Sequence, residues 1–339
     1  MNKKNLYRCF KRFFVVGIVV FAGTGAWAQQ RPVLSTIIID PGHGGIDQGA
    51  SGQVTTEAAI ALSISLKLGK ALATELPESK LIFTRTTDEL PGGLNNIHDA
   101  LRYRADMANQ AKGDLFIAIH CNSNGLRAGE YYAKRVVGHR NRTVYVGRGS
   151  KRRKKTVREP IYESYAVKNN EHGTETYIWA ADRTGYKGSA IQSTGEFGEN
   201  VNDSTNELDL NSPEAVIRAQ LYEKKYFSKS LLLATFVEDE FVKGGRLSRG
   251  VKQRNEKGIW VLQATGMPSI LVETGFVTQT EEEEYLNSEK GQDEIVAQIV
   301  TAIKRYKTSL EGGSAPVQQT GGATGTPAPA PAAAAAGSN

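Results

Sequence analysis

Cysteine is nearly missing from this chain: its 339 residues hold 2, Cys9 and Cys121. Cys9 lies in a basic and then apolar leader, so an exported product keeps Cys121 alone and can form no intrachain disulfide. A small secreted scaffold held together by disulfides is thereby excluded, and stability has to come from a hydrophobic core or a metal. Long apolar runs are also scarce. The longest one near the start, Phe13 to Phe21, falls short of the roughly 20 residues a spanning helix needs. Behind the basic stretch Met1 to Arg12 and ahead of Ala26-Trp27-Ala28, it reads as a signal peptide cleaved after Ala28, with membrane contact only during export. Acidic residues are absent from Lys134 to Arg158, although the whole chain carries a net charge of only +6. The excess is local, in Lys134-Arg135, Arg140 and Arg142, and Lys151-Arg152-Arg153-Lys154-Lys155. No nucleic-acid partner is expected. The five clustered cations are polyanion-binding candidates, on a block whose like charges repel and predict a solvated, flexible loop.

What is present is enough apolar residue, 40%, for one sizeable core. Thr36 to Ile39 is a β-branched run typical of a strand buried on both faces, and Asp40-Pro41-Gly42 breaks it. His43 therefore stands on a turn at a strand's carboxyl end, the edge where open α/β sheets bind ligands. Thr55 to Thr74 predicts a helix with Ala59, Leu62, Leu66 and Ala73 on one face and Glu57 in its first turn, where the helix dipole alone would favour a carboxylate. Leu81 to Thr84 predicts a strand and Asp99 to Gln110 a helix. Asp114 to His120 is a second apolar run ending in histidine, and Cys121 beside it points the other way, as a small buried residue.

Downstream, Gly173 to Ala180 predicts a strand, and a polar stretch without period follows to Ser212. Ser212-Pro213 opens a long helix that runs to Val242. Gly258 to Gln263 and Ser269 to Val272 predict two strands, the second ending at Glu273. Helices over Thr280 to Asn287 and Asp293 to Leu310 close the fold. From residue 311 the Gly, Pro and Ala content marks a disordered tail.

Strands alternating with helices predict a largely parallel sheet, which gathers strand ends on one edge. His43, His120 and Glu273 can then converge, with Glu57 as a second acidic candidate. Two histidines and one carboxylate, with a place left for water, are the donor set of catalytic zinc, and the remaining carboxylate can act as base. His98, His139 and His172 take no such role, and Arg85 and Arg104 read as structural ion-pair partners.

In order along the chain stand Asp40-Pro41-Gly42-His43-Gly44-Gly45, Thr56-Glu57, Thr84-Arg85-Thr86-Thr87-Asp88, Leu101 with Arg104, Ala108 and Asn109, Ile119-His120-Cys121-Asn122 and Leu271-Val272-Glu273-Thr274-Gly275-Phe276. Taken jointly, these motifs resemble the zinc-dependent N-acetylmuramoyl-L-alanine amidases of the amidase 3 family, from about Val33 to Tyr306. The resemblance implies a three-layer α/β fold, with a mixed, mostly parallel sheet and helices on both faces, as a single catalytic domain over residues 29–310. It implies one Zn2+ held by His43, Glu57 and His120, with Glu273 as the catalytic carboxylate. It also implies cleavage of the amide between N-acetylmuramic acid and L-alanine in peptidoglycan, in the periplasm or cell envelope. Cys121 stands where members usually carry alanine, and the basic insertion, residues 125–172, is longer than the family core requires. No separate wall-binding repeat is present. Segment 188–211 is expected to be regulatory, with Glu196 or Glu199 blocking the metal until an activator protein withdraws it. The rival readings are another zinc-dependent envelope peptidase or carboxypeptidase, and a non-catalytic wall- or polyanion-binding protein.

Overall fold

The computed structural model describes residues 32–125, 127–179, 213–253 and 259–312. The expected signal peptide, the tail from residue 313 and segment 188–211, with Glu196 and Glu199, lie outside the described residues. Among the described residues eight strands and six α-helices follow one another: β1 (Thr36–Pro41), α1 (Glu57–Glu75), β2 (Lys80–Phe83), α2 (Ile97–Gln110), β3 (Leu115–Asn122), β4 (Glu130–Val146), β5 (Arg153–Lys168), β6 (Thr174–Ile178), α3 (Pro213–Lys243), β7 (Ser248–Gln253), α4 (Trp260–Ala264), β8 (Ser269–Phe276), α5 (Thr280–Asn287) and α6 (Glu289–Glu311). Six strands form the main sheet in the order β2-β1-β3-β8-β6-β7. All neighbours are parallel except β8 and β6, which run antiparallel. This is the mixed, mostly parallel α/β sheet the sequence implies.

The β-branched run of β1 is buried on both faces because each face meets helices. Ile37 and Ile39 pack in a core with Ile64 and Leu68 of α1, Phe241 of α3 and Ile299 of α6, whereas Ile38 faces a second core with Ala108 of α2 and Leu262 of α4. Strand periodicity sends alternate residues to opposite layers, so three consecutive isoleucines join two cores. The buried side of α1 differs from the expected one. Ile60, Ile64, Leu68 and Leu72 face the core, while Ala59, Leu66 and Ala73 are exposed. The helix has apolar residues on two stripes, and the larger, branched set takes the interior.

Two further elements depart from the sequence reading. Residues 260–264 form the short helix α4 where a strand was expected, an ambiguity inherent in short apolar runs. Strand β7, SRGVKQ, has no apolar run to announce it. It lies at the sheet's edge, parallel to β6, and its Arg249 and Lys252 reach Glu175 of β6 at 2.7 and 2.6 Å.

The basic insertion is not a flexible loop. It is a separate antiparallel hairpin, with β4 and β5 paired from Glu130↔Lys168 to Val146↔Arg153, and Lys151 to Lys155 span its turn and the start of β5. Strand alternation spreads the cations over two faces, and Glu159 and Glu163 accept from Arg140 and Arg135 across the strands at 3.0 and 2.7 Å. The repulsion expected of a charge block is thereby relieved, and valine, threonine and tyrosine along both strands supply strand preference. Among the described residues no helix is long and apolar enough to cross a membrane.

Candidate metal centre and active site

The site is built at the carboxyl ends of β1, β3 and β8. At the end of β1 the chain turns through Gly42 into His43, whose φ of 58° is unusual for a residue with a side chain. Two arginines hold this turn by its carbonyl groups. Arg104 of α2 donates to Pro41 O at 2.8 Å and His43 O at 2.6 Å, and its guanidinium pairs with the Asp40 carboxylate. Arg85 donates to Pro41 O at 3.1 Å, Gly42 O at 2.7 Å and Ala58 O at 2.8 Å. Burial, and then the positive Arg104 nearby, bring its pKa down to about 10. Arg104 has the ion-pair partner expected of it, whereas Arg85 works through carbonyl groups rather than a carboxylate partner.

His43 meets Glu57 on one side of its ring and Asp47 on the other: Nε2 lies 3.0 Å from Glu57 Oε1, and Nδ1 lies 2.9 Å from Asp47 Oδ2. His120, from β3, brings Nδ1 to 2.7 Å from the same Glu57 Oε1. Ligand atoms of His43, Glu57 and His120 all lie within 4.8 Å of one another, a group that could hold a metal ion. The donor set fits a borderline-soft divalent metal such as zinc, and a carboxylate on the far nitrogen of one histidine is the usual way its ring is oriented. Asp47, four residues after His43, was not singled out from the sequence. The i, i+4 spacing was its only signal.

Glu57 is buried at the start of α1, and its other oxygen accepts from Ala50 N at 2.9 Å. Burial would raise its pKa, but hydrogen bonds from His120 and His43 outweigh that and leave it a carboxylate at any ordinary pH. Burial likewise works against a charge on His43, yet the contact with Glu57, and then Asp47, lifts its pKa to about 9. Metal binding by such a group requires neutral imidazoles and is therefore coupled to proton release. The Cys121 thiol is buried and its pKa is pushed well up, first by burial and then by the Glu57 charge. It is a packed residue, as the strand alternation predicts.

Glycine makes the crowding possible. A Cβ on Gly42 would lie 2.5 Å from the His120 ring, although its backbone could accept alanine. We expect Gly42→Ala to displace the imidazole and weaken metal binding on the order of 10- to 100-fold, the scale seen when a ligand's support is lost. Competition titration against a chromophoric chelator would measure this, with Gly138→Ala, whose Cβ would have only Ile161 at 3.9 Å, as a neutral control.

Glu273 lies beside the cluster because β3 and β8 run in register, His120 opposite Glu273. Glu273 in turn stands opposite Glu175 on β6, so the three form one row across the sheet. Glu273 lines the same cavity of about 350 Å³ as His43, Glu57 and His120. Trp260 of α4 lines it too and is 45% exposed. Reading its segment as a strand hid this aromatic from the sequence view. His98, His139 and His172 are not in the cluster, and Lys151 to Lys155 do not line the cavity.

The fold is thus a mixed α/β sheet with a His-Glu-His group that could hold a metal ion, and a further buried carboxylate, Glu273, in the same cavity. The chain belongs to the N-acetylmuramoyl-L-alanine amidase family Amidase_3, whose model matches residues 37–305. Among curated relatives, an uncharacterized cell wall amidase of Bacillus anthracis is 28% identical over 272 residues, covering 80% of this chain and 35% of that protein. The N-acetylmuramoyl-L-alanine amidase AmiC of Escherichia coli O6:H1 is 25% identical over 283 residues, covering 83% of this chain and 54% of that protein. This chain therefore spans about half or less of the length of these relatives. Among solved structures, an N-acetylmuramoyl-L-alanine amidase from Clostridium difficile 630 aligns with a TM-score of 0.49 at 22% identity, over 81% of this chain and 98% of that one.

Proposed function

We propose that the protein is a zinc-dependent peptidoglycan hydrolase that cleaves the amide bond between N-acetylmuramic acid and the L-alanine of the stem peptide, acting in the cell envelope after export. The observation that carries this reading is the His43, Glu57 and His120 group, with ligand atoms within 4.8 Å, sharing one cavity with Glu273 in a chain of the amidase family.

In this reading His43, Glu57 and His120 are the metal ligands. A bound zinc supplies Lewis-acid polarisation of the amide carbonyl and a water of lowered pKa. Glu273 takes the proton of the attacking water on its carboxylate and delivers it to the alanine nitrogen as the C–N bond breaks, since an amide nitrogen leaves poorly until protonated. Asp47 holds the His43 ring at Nδ1, and Trp260 offers the substrate an apolar wall. The blocking role of Glu196 or Glu199, relieved by an activator protein, is proposed from the sequence alone.

Purified peptidoglycan digested with the metal-loaded protein should release intact stem peptides with free L-alanine amino termini and leave peptide-free muramic acid on the glycan. Chelation should abolish this release and bring metal content to zero, and zinc should restore both. Cuts inside the stem peptide would instead identify an envelope peptidase or carboxypeptidase. Bound but uncut polymer would identify a binding protein.

A further inference from the structure

The two faces of the β4–β5 hairpin differ in charge, although the sequence shows only a basic block. The cross-strand register places Tyr132, Lys134, Val136, Asn141 and Tyr145 on one face, with Lys154, Arg158 and Tyr162 contributed to it by β5. From Tyr132 to Ala166 this face carries no Asp or Glu. Its tyrosines are exposed, Tyr132 75%, Tyr145 59% and Tyr162 60%, with the Arg152 guanidinium over the Tyr145 ring at 4.9 Å. Among the described residues, Lys134, Lys154 and Arg158 meet no carboxylate; Arg158 meets only the His139 ring, at 3.4 Å. The opposite face holds both acidic residues of the interval, Glu159 and Glu163, each paired with arginine. Lys151 to Lys155 is therefore not one unit, because Lys154 joins the tyrosine face while Arg153 and Lys155 turn away.

The hairpin starts beside the site. The chain passes from Asn122, at the end of β3, to Glu130. Its foot is fixed to the connection after β8, where Gly129 N and Asn169 Nδ2 both donate to Thr278 O, at 3.0 and 3.1 Å, and Lys168 pairs with Glu281 at 2.7 Å. A strand of 17 residues reaches roughly 55 Å at about 3.3 Å per residue. A two-stranded ribbon with both faces in water is marginal by itself, so its exposed face is suited to being covered.

We propose that the tyrosine face is a binding arm for uncut peptidoglycan: the tyrosine rings stack on sugar rings of the glycan, and Lys134, Lys154 and Arg158 meet carboxylates of the stem peptides. This rests on the amidase reading for the identity of the polymer. Charge complementarity favours an anionic polymer over a second copy, because two such faces would repel each other. Holding the polymer along an arm whose foot follows β3 raises its effective concentration at the cavity without adding a contact to the scissile bond.

The test is sedimentation of the full chain with purified sacculi, in a Glu273→Gln background that leaves the polymer intact, over a series of salt concentrations. Lys134→Gln/Lys154→Gln/Arg158→Gln should weaken binding on the order of tenfold, the effect of three exposed ion pairs of ordinary strength, and should flatten the salt dependence. Tyr132→Ser/Tyr145→Ser/Tyr162→Ser should weaken binding while leaving the salt dependence unchanged. Arg142→Gln/Arg153→Gln/Lys155→Gln, with the same change in charge on the other face, should bind like the parent. With Glu273 intact, all three should cleave a small soluble muropeptide at the unaltered rate, which also shows that they fold. Equal losses from both faces, or no loss from the tyrosine face, would overturn the arm. So would loss of soluble-substrate cleavage, which would place the hairpin in the active site. A parent that fails to bind sacculi overturns the arm but not the amidase reading, which stands on the soluble-substrate products.

Discussion

Glu273→Gln is expected to keep its fold and its metal while losing turnover on peptidoglycan by about 100- to 10,000-fold, the usual contribution of a positioned general base. The amide side chain is nearly isosteric and fits the buried place on β8 opposite His120, so the change removes proton transfer and little else. Metal analysis and thermal unfolding should match the parent. The dissociation constant for an uncut muropeptide should also be unchanged, because the loss is confined to the transition state. His43→Ala provides the contrast, since it should lose metal and turnover together. A Glu273→Gln protein that retains more than about a tenth of the parent rate would remove Glu273 from the chemistry.

Arg104→Leu is the second large effect, and it acts on stability. Asp40 and Arg104 are 1% and 3% exposed, so removing the guanidinium strands a buried carboxylate, at a cost of about 3–5 kcal/mol. It also frees the carbonyl of His43, whose left-handed backbone the Arg104 contact at 2.6 Å helps to hold. Denaturant unfolding should therefore show a lower midpoint with an unchanged slope. The double variant Asp40→Leu/Arg104→Leu separates the two roles. Replacing both charges by apolar groups should recover part of the stability, while metal affinity should fall because His43 O still lacks its Arg104 donor, Arg85 holding, of the turn's carbonyls, only those of Pro41 and Gly42. A double variant that binds metal like the parent would show that Arg104 serves the ion pair alone.

The sequence displayed the site more clearly than its surroundings. The apolar stretches of β1, β3 and β8 are buried on both faces and therefore continuous, and a polar residue at the end of each one stands out. Glu57 was harder, because a carboxylate in a helix's first turn is favoured whether or not it serves a metal. Asp47 and Trp260 escaped notice, since a polar loop and a five-residue helix carry no period to read. The polar edge strand β7 was missed for a related reason: its charged residues answer to Glu175, a partner distant in sequence. The hairpin was misread because a run of cations describes composition, whereas the strand register that sorts them depends on the facing strand, with Glu159 and Glu163 in it. The exposed stripe on α1 was an error of choice between two candidate faces, which only the shape of the core could make.

The row of His120, Glu273 and Glu175 across β3, β8 and β6 has a consequence for how the protein fails. These strands lie inside the sheet, between β1 on one side and β7 on the other, where amide groups exchange with solvent only when the whole domain opens. A proposed ligand and the proposed base thus belong to the last part of the molecule to come apart. The hairpin, which among the described residues is joined to the domain at its foot, can fray without disturbing them. Heat or denaturant should therefore leave the sheet's share of the site, His120 and Glu273, in place until cooperative unfolding, and any activity lost earlier has to be lost at the His43 turn or at Glu57.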